Sequence, residues 1–189
     1  MAERIEPGTF VAIVGPSGAG KDSAMRYAAG RLAGRDDIHF VERIITRPMD
    51  PASERHATLD AAAFAAARAA GQFAIAWSAH GNDYALPATI DTRIAAGDTV
   101  IANVSRGVLP DIEERYADVR IAAIEASPDI LAARLLARGR ETASAITGRI
   151  AGNEKPVFGA FVTRIDNSSA LDKAGDALVA LILATRSGR

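Results

Sequence analysis

A glycine-rich stretch near the N-terminus constrains this chain more than any other feature. The apolar run 9–14 precedes it, a helix-like segment begins near Lys21, and the stretch itself reads Gly15-Pro16-Ser17-Gly18-Ala19-Gly20-Lys21-Asp22-Ser23. Glycines let the backbone turn tightly so that successive N–H groups face a polyphosphate, and the helix N-terminus adds the positive end of its dipole. Taken alone, the pattern is also that of a capped strand-to-helix turn. With Lys21 spaced to reach the β- and γ-phosphates, we predict a nucleotide-binding P-loop formed by all of these residues.

The residue after the P-loop lysine is unusual. Asp22 stands where Ser or Thr is usual, and Ser23 lies one position further along. Mg²⁺ prefers hard oxygen ligands, so a carboxylate here can hold it directly or through water. The predicted strand 98–104 ends near Asn103 rather than an Asp. We therefore predict a Mg²⁺ ligand at Asp22 or, alternatively, at Ser23.

Composition limits the remaining functional classes. The 189 residues carry a formal net charge of −1 and no cysteine, which argues against general nucleic-acid affinity and against disulfide or thiol chemistry. The N-terminus has no apolar signal core, and no apolar run approaches the roughly 20 residues that span a bilayer. We expect a cytoplasmic protein that acts on small molecules without nucleic-acid or membrane partners. The sequence is compatible with either a monomer or a homodimer.

Alternating strand and helix patterns predict the fold class, a three-layer α/β/α P-loop domain with a parallel central sheet. We expect one domain over residues 1–189, with an acceptor-binding segment at about 43–87 and an Arg-rich lid at about 138–153. The predicted strands are 9–14, 38–41, 73–77, 98–104, 119–124 and 161–165. The predicted helices are 22–33, 61–70, 90–96, 110–116, 128–138, 142–151 and 171–184.

Arginines at strand ends are candidate phosphate ligands. Arg43 and Arg47 follow the strand 38–41 and precede Pro48, where they either converge on an anion or lie solvated on the surface. Arg106 lies just beyond the strand 98–104, and ligands of open α/β sheets bind beyond the carboxyl ends of strands. This position favours a ligand role for Arg106.

A second group of arginines surrounds a glycine break late in the chain. Its density predicts a lid that brings guanidinium groups over transferring phosphates, whereas a solvated charged helix face is the alternative. The pairing with a P-loop favours the lid. The group comprises Arg134, Arg138, Arg140 and Arg149.

Aromatic and histidine residues allow two interpretations. Trp77 and Tyr84 are by default core residues. His56 and His80 are either hydrogen-bonded structural residues or ligands in exposed loops.

Taken together, these motifs resemble the guanylate-kinase branch of the P-loop kinases over nearly the whole chain. Within that branch, the chain is similar to the ribose 1,5-bisphosphate phosphokinases of bacterial phosphonate breakdown, whose pattern includes the Asp after the P-loop Lys. Besides the P-loop, the matching stretches are Arg-Ile-Ile-Thr-Arg-Pro at 43–48, Glu-Arg-His at 54–56, Ala-His-Gly-Asn-Asp-Tyr at 79–84, Asn-Val-Ser-Arg at 103–106 and Arg-Gly-Arg-Glu at 138–141, followed by Arg149.

The resemblance implies transfer of the γ-phosphoryl group of ATP to ribose 1,5-bisphosphate, which yields 5-phosphoribosyl 1-diphosphate and ADP. It implies Mg²⁺ as cofactor, and catalytic roles for Lys21, Arg138 and Arg149. Asn167 resembles part of the turn that borders adenine. The implied acceptor ligands are Arg43, Arg47, His56, Tyr84 and Arg106.

Departures from true guanylate kinases bear on the acceptor. Arg43 stands where that family has a small hydroxyl residue, Asp50 replaces a second phosphate-binding Arg, and Ile75 replaces the Glu that reads guanine. Losing that carboxylate removes hydrogen-bond selection for guanine, whereas added arginines suit a ligand with two phosphates and no base. The alternatives are a guanylate or other nucleoside monophosphate kinase and, in a different class, a non-catalytic module that binds phosphopeptides.

Overall fold

Strands and helices alternate along the chain in the computed structural model, which describes residues 3–47, 57–79, 81–137 and 156–185. The described strands are β1 (Ile5–Val14), β2 (Ile38–Val41), β3 (Ile44–Ile45), β4 (Ala57–Thr58), β5 (Phe73–Ala79), β6 (Asn82–Pro87), β7 (Thr99–Asn103), β8 (Tyr116–Glu125) and β9 (Val162–Asp166). The described helices are α1 (Lys21–Arg31), α2 (Ala61–Ala69), α3 (Thr89–Ala95), α4 (Leu109–Arg115), α5 (Pro128–Ala137) and α6 (Leu171–Ala184), with a 3-10 turn at Arg106–Val108.

The central sheet has the strand order β2-β7-β1-β8-β9. Strand β2 pairs parallel with β7, and β8 pairs parallel with β9. The apolar runs in β1, β7 and β8 are buried, as expected for strands covered on both faces. The predicted α/β class with a parallel central sheet is confirmed.

A second sheet, with the order β4-β3-β6-β5, lies within the segment 43–87. Strand β6 runs antiparallel to both β3 and β5. The sequence predicted a turn and a short strand near residue 84, and the turn at Gly81 does lead into β6. Strand pairing in this four-stranded sheet thus joins most of the predicted acceptor segment.

The boundary between α4 and β8 differs from the prediction. Tyr116 was predicted to end a helix, but it is the first residue of β8 and is fully buried. Its ring stacks on Phe10 of β1, with ring centroids 5.2 Å apart. Burial of this large aromatic side chain outweighs local helical periodicity.

The chain comprises two compact units. One contains Met1–Ala12 and Gly34–Val119, and the other contains Ile13–Ala33 and Arg120–Arg189. The first therefore carries the second sheet, and the second carries the glycine-rich loop with α1, α5 and α6. Among the described helices, none has the length and apolar character needed to cross a membrane.

Candidate active site

The glycine-rich loop connects β1 to α1, as the sequence predicted. Gly20 caps α1 in the left-handed region, with a φ of 86° that suits glycine best. A side chain at Gly20 would strike the amide of Asn167, and one at Gly15 would strike the backbone carbonyl of Ile124. Glycine is therefore required at both positions by the surroundings as well as by the backbone.

Lys21 opens α1 and folds back over the loop. Its Nζ donates hydrogen bonds to the carbonyl oxygens of Gly15 at 2.9 Å and Pro16 at 3.0 Å. These bonds hold the ammonium group beside the helix N-terminus, which is an anion-binding end of a helix. The local geometry is that of a phosphate-binding loop.

One face of α5 packs against this loop. A Cβ at Gly18 would lie 3.3 Å from Leu135 Cγ and 3.6 Å from Leu131 Cδ2. Arg134 lies on the same face, because residues three and four apart share one side of a helix. Its Nη1 donates to the carbonyls of Gly18 and Ala19, each at 3.4 Å.

Arg134 also connects the loop to the segment after β9. Its Nη2 donates to the carbonyl of Asn167 at 2.9 Å, and the Asn167 side-chain Nδ2 donates to the carbonyl of Ala19 at 2.7 Å. The sequence grouped Arg134 with the lid arginines, whereas the structure places its guanidinium on the loop. The density of arginines near Gly139 was the only signal in the sequence, and it did not indicate this partner.

Asn167 was predicted to contact ATP. The residue is 1% exposed, and its backbone N–H donates to the Glu125 carbonyl at 2.7 Å. Neighbouring bonds fix the same segment, since Ser168 Oγ donates to Asp166 Oδ1 and accepts from the Ser127 N–H at 2.8 Å. Asn167 therefore supports the loop from behind, and its contact with ATP stays a prediction.

In the other unit, the acceptor candidates Arg43 and Tyr84 lie together. The Arg43 guanidinium lies over the Tyr84 ring, 5.4 Å from its centroid. On the neighbouring strand, Trp77 is directly opposite Tyr84 and stacks on it with centroids 5.4 Å apart. Tyr84 is 9% exposed, so the core expectation for this ring is confirmed. Trp77, which the sequence did not assign to a site, completes the stack.

The remaining acceptor candidates of this unit follow strand ends. Arg47 lies just after β3, and its carbonyl accepts a hydrogen bond from Thr58 Oγ1 at 3.3 Å. Arg106 begins the 3-10 turn that follows β7, where it is partly exposed. Arg106 lies beyond the end of β7, as expected, whereas Arg47 follows β3, a short strand that the sequence did not predict. The ligand roles of both residues stay predictions.

The candidate Mg²⁺ ligands lie in the first turn of α1. Asp22 and Ser23 are both partly exposed there. No group of three or more His, Asp or Glu residues within the described ranges could hold a metal ion by itself. Mg²⁺ commonly takes one or two protein ligands together with phosphates and waters, so a single carboxylate beside a phosphate loop fits this ion.

Several predicted residues lie outside the described residues. These are His56, Arg138 and Arg149 among the site residues, together with Asp50, His80, Arg140 and the predicted lid at about 138–153.

Comparison with known proteins identifies relatives of this chain by sequence. No family model matches it. Ribose 1,5-bisphosphate phosphokinase PhnN of Chelativorans sp. (strain BNC1) is 47% identical, covering 91% of this chain and 83% of that protein. The proteins of the same name from Agrobacterium fabrum and Pseudofrankia inefficax are 43% and 42% identical, covering 92% and 97% of this chain and 95% of each relative.

Solved structures agree on the fold. Guanylate kinase from Anaplasma phagocytophilum superposes with a TM-score of 0.66 at 17% identity, covering 95% of this chain and 86% of that chain. A gluconokinase from Sinorhizobium meliloti gives a TM-score of 0.55 at 17% identity, covering 98% and 97%. The fold is thus that of the P-loop kinases, and by sequence the chain belongs to the ribose 1,5-bisphosphate phosphokinase family.

Proposed function

We propose that this protein transfers the γ-phosphoryl group of ATP to ribose 1,5-bisphosphate, forming 5-phosphoribosyl 1-diphosphate and ADP. The observation that carries the proposal is similarity along nearly the whole chain to proteins named for this kinase activity, combined with an intact phosphate loop. An oxygen of the acceptor's 1-phosphate attacks the γ-phosphorus. The bond from that phosphorus to the β,γ-bridging oxygen breaks, and ADP leaves.

For this reaction the protein mainly has to position the two substrates and stabilise the negative charge of the phosphates. The attacking group is a phosphate that is already ionised, so no strong general base is required. Phosphoryl transfer depends on amides and cations around the charged oxygens. Lys21 and the amides of residues 15–23 would bind the ATP phosphates. Arg138 and Arg149 would stabilise the charge on the transferring group.

Mg²⁺ belongs to the proposal through the Asp22 carboxylate. Bound to the nucleotide, the ion would neutralise charge on the β- and γ-phosphates. Asp22 would hold it directly or through water, with Ser23 as the alternative ligand. Asn167 is proposed to border the adenine from its place behind the loop.

The acceptor assignment depends on charge and on a missing carboxylate. Arg43, Arg47 and Arg106 would bind phosphates, which Arg can grip with two parallel hydrogen bonds. His56 and Tyr84 would complete the set. Ile75 in β5 is 7% exposed and aliphatic, so it offers no hydrogen bond to a guanine base. This supports a sugar bisphosphate over GMP.

We further propose that residues 1–189 act as one kinase domain in the cytoplasm. Its segments at about 43–87 and 138–153 would bind the acceptor and cover the transferring group. Its partners would be small molecules, and a homodimer is compatible with this activity.

The test is ATP turnover by the purified chain with Mg²⁺, with ribose 1,5-bisphosphate and GMP offered separately and products identified by mass. We expect 5-phosphoribosyl 1-diphosphate from the sugar and no product from GMP. Lys21→Met serves as the inactive control, since it removes the phosphate-binding ammonium. Preference for GMP would favour a nucleoside monophosphate kinase and refute the acceptor assignment. Absence of ATP binding would favour a non-catalytic module.

A further inference from the structure

We propose that Arg134 is a positioning residue for the nucleotide, acting through the carbonyl groups of the phosphate loop. It would hold the loop so that its N–H groups face the phosphates. The inference rests on the proposed function in one respect, namely that ATP binds at this loop. It assigns a role to a residue of α5 rather than to the loop or the lid.

A single guanidinium serves three carbonyl oxygens. Two belong to the loop residues Gly18 and Ala19, and the third belongs to Asn167. The fixed fork of an arginine can span such a set, whereas an ammonium donates from one point. Leu131 and Leu135 flank Arg134 on the same helix face and pack near Gly18, which limits the movement of the side chain's base.

The orientation of the loop follows from the planar peptide. The Ala19 carbonyl accepts from both Arg134 and Asn167. In a trans peptide the N–H points opposite to the C=O, so the Gly20 N–H is directed away from these two donors. A hydrogen-bonded carbonyl also polarises its peptide, which makes that N–H a stronger donor. Arg134 thus both aims and strengthens an amide at the start of α1.

Charge adds to this effect. Within the described part of the chain, the hydrogen-bond partners of Arg134 are neutral carbonyls, with no carboxylate among them. The side chain is partly buried, where screening by water is weaker than at the surface. Its positive charge therefore contributes to the potential that attracts a polyphosphate, in addition to that of Lys21.

The experiment measures ADP binding by calorimetry on the full chain without acceptor, for wild type, Arg134→Lys and Arg134→Met. We expect Arg134→Met to weaken ADP binding roughly 10- to 100-fold, because bonds from a charged donor are lost. Arg134→Lys should fall between, since it keeps the charge but loses the fork. Arg31→Lys, an exposed change on α1, is the matched control and should bind as wild type.

Two further readouts separate positioning from general stability. The KM for ATP should rise in the Arg134 variants while the KM for ribose 1,5-bisphosphate stays within twofold of wild type, and Arg134→Lys should keep the wild-type melting temperature. Wild-type ADP affinity in Arg134→Lys, or in a folded Arg134→Met, would overturn the proposal. An equal rise in both KM values would do the same. If wild type binds ADP but does not phosphorylate the sugar, the proposed acceptor fails and this inference stands.

Discussion

Replacing Gly20 with alanine perturbs the phosphate loop where it meets Arg134 of α5 and Asn167 after β9, all within the second unit. Gly20 has a φ of 86°, and an added Cβ would strike the Nδ2 atom of Asn167. That nitrogen donates to the Ala19 carbonyl at 2.7 Å, so the new methyl group must displace it. Gly34 provides a matched control, because its φ is 85° and a Cβ there would meet nothing within 4 Å.

The structure gives the expected sizes of the two effects. Backbone strain from an L-residue in the left-handed region costs about 1 kcal/mol in both variants. In Gly20→Ala, the displaced amide of Asn167 is buried and loses its hydrogen bond to Ala19, which adds about 2 kcal/mol. The totals are about 3 and about 1 kcal/mol, or melting temperatures lower by about 9 °C and about 3 °C for a chain of this size.

Thermal denaturation followed by circular dichroism measures both shifts in melting temperature. Calorimetry measures the affinity of each variant for ADP, which reports whether the phosphate loop still binds phosphates. Gly20→Ala should also weaken ADP binding, whereas Gly34→Ala should leave it unchanged because Gly34 lies beyond the C-terminal end of α1. Equal melting shifts in the two variants would refute the packing argument. They would mean that strain alone accounts for the cost and that Asn167 does not brace the loop.

Three further predictions concern other groups. Burial, and then the hydrogen bond to Asp91, raises the pKa of Tyr116 well above its usual value. Stability from this group is therefore complete below about pH 10 and lost at higher pH, when the unfolded tyrosine ionises first. The urea midpoint of wild type should fall between pH 10 and 11, and Tyr116→Phe should flatten this decline; parallel curves would contradict the assignment. Arg43→Ala should raise the KM for ribose 1,5-bisphosphate about tenfold or more, through loss of a charged phosphate contact, and leave the KM for ATP unchanged. An equal effect on both KM values would refute its assignment to the acceptor. Asp22→Asn should shift the Mg²⁺ dependence of turnover to higher concentrations, because a neutral amide binds the ion more weakly. An unchanged Mg²⁺ titration would leave Ser23 as the candidate.

Local patterns account for much of what the sequence predicted correctly. The glycines of the phosphate loop indicate where the backbone adopts conformations that other residues disfavour. Short-range hydrophobic periodicity is enough to predict the strand before the loop and the helix after it. Buried parallel strands such as β7 and β8 are recognised in the sequence as continuous apolar runs. The same signals specified the α/β class, and the motifs at 15–23 and 43–48 indicated the family.

Only the tertiary structure decided which distant groups meet. Nothing in the local pattern relates Asn167 or Arg134 to the carbonyl of Ala19, because their contact depends on how α5 and the end of β9 pack within the second unit. The stack of Arg43, Tyr84 and Trp77 likewise depends on strand register, which pairs residues 77 and 84 across β5 and β6. Tyr116 left its predicted helix for β8 because burial against Phe10 outweighed local propensity. The sequence by itself determined the phosphate loop, the fold class and the family, since these depend on local chemistry. The bracing of the loop and the surroundings of Arg43 were decided by the tertiary structure, since they depend on long-range packing.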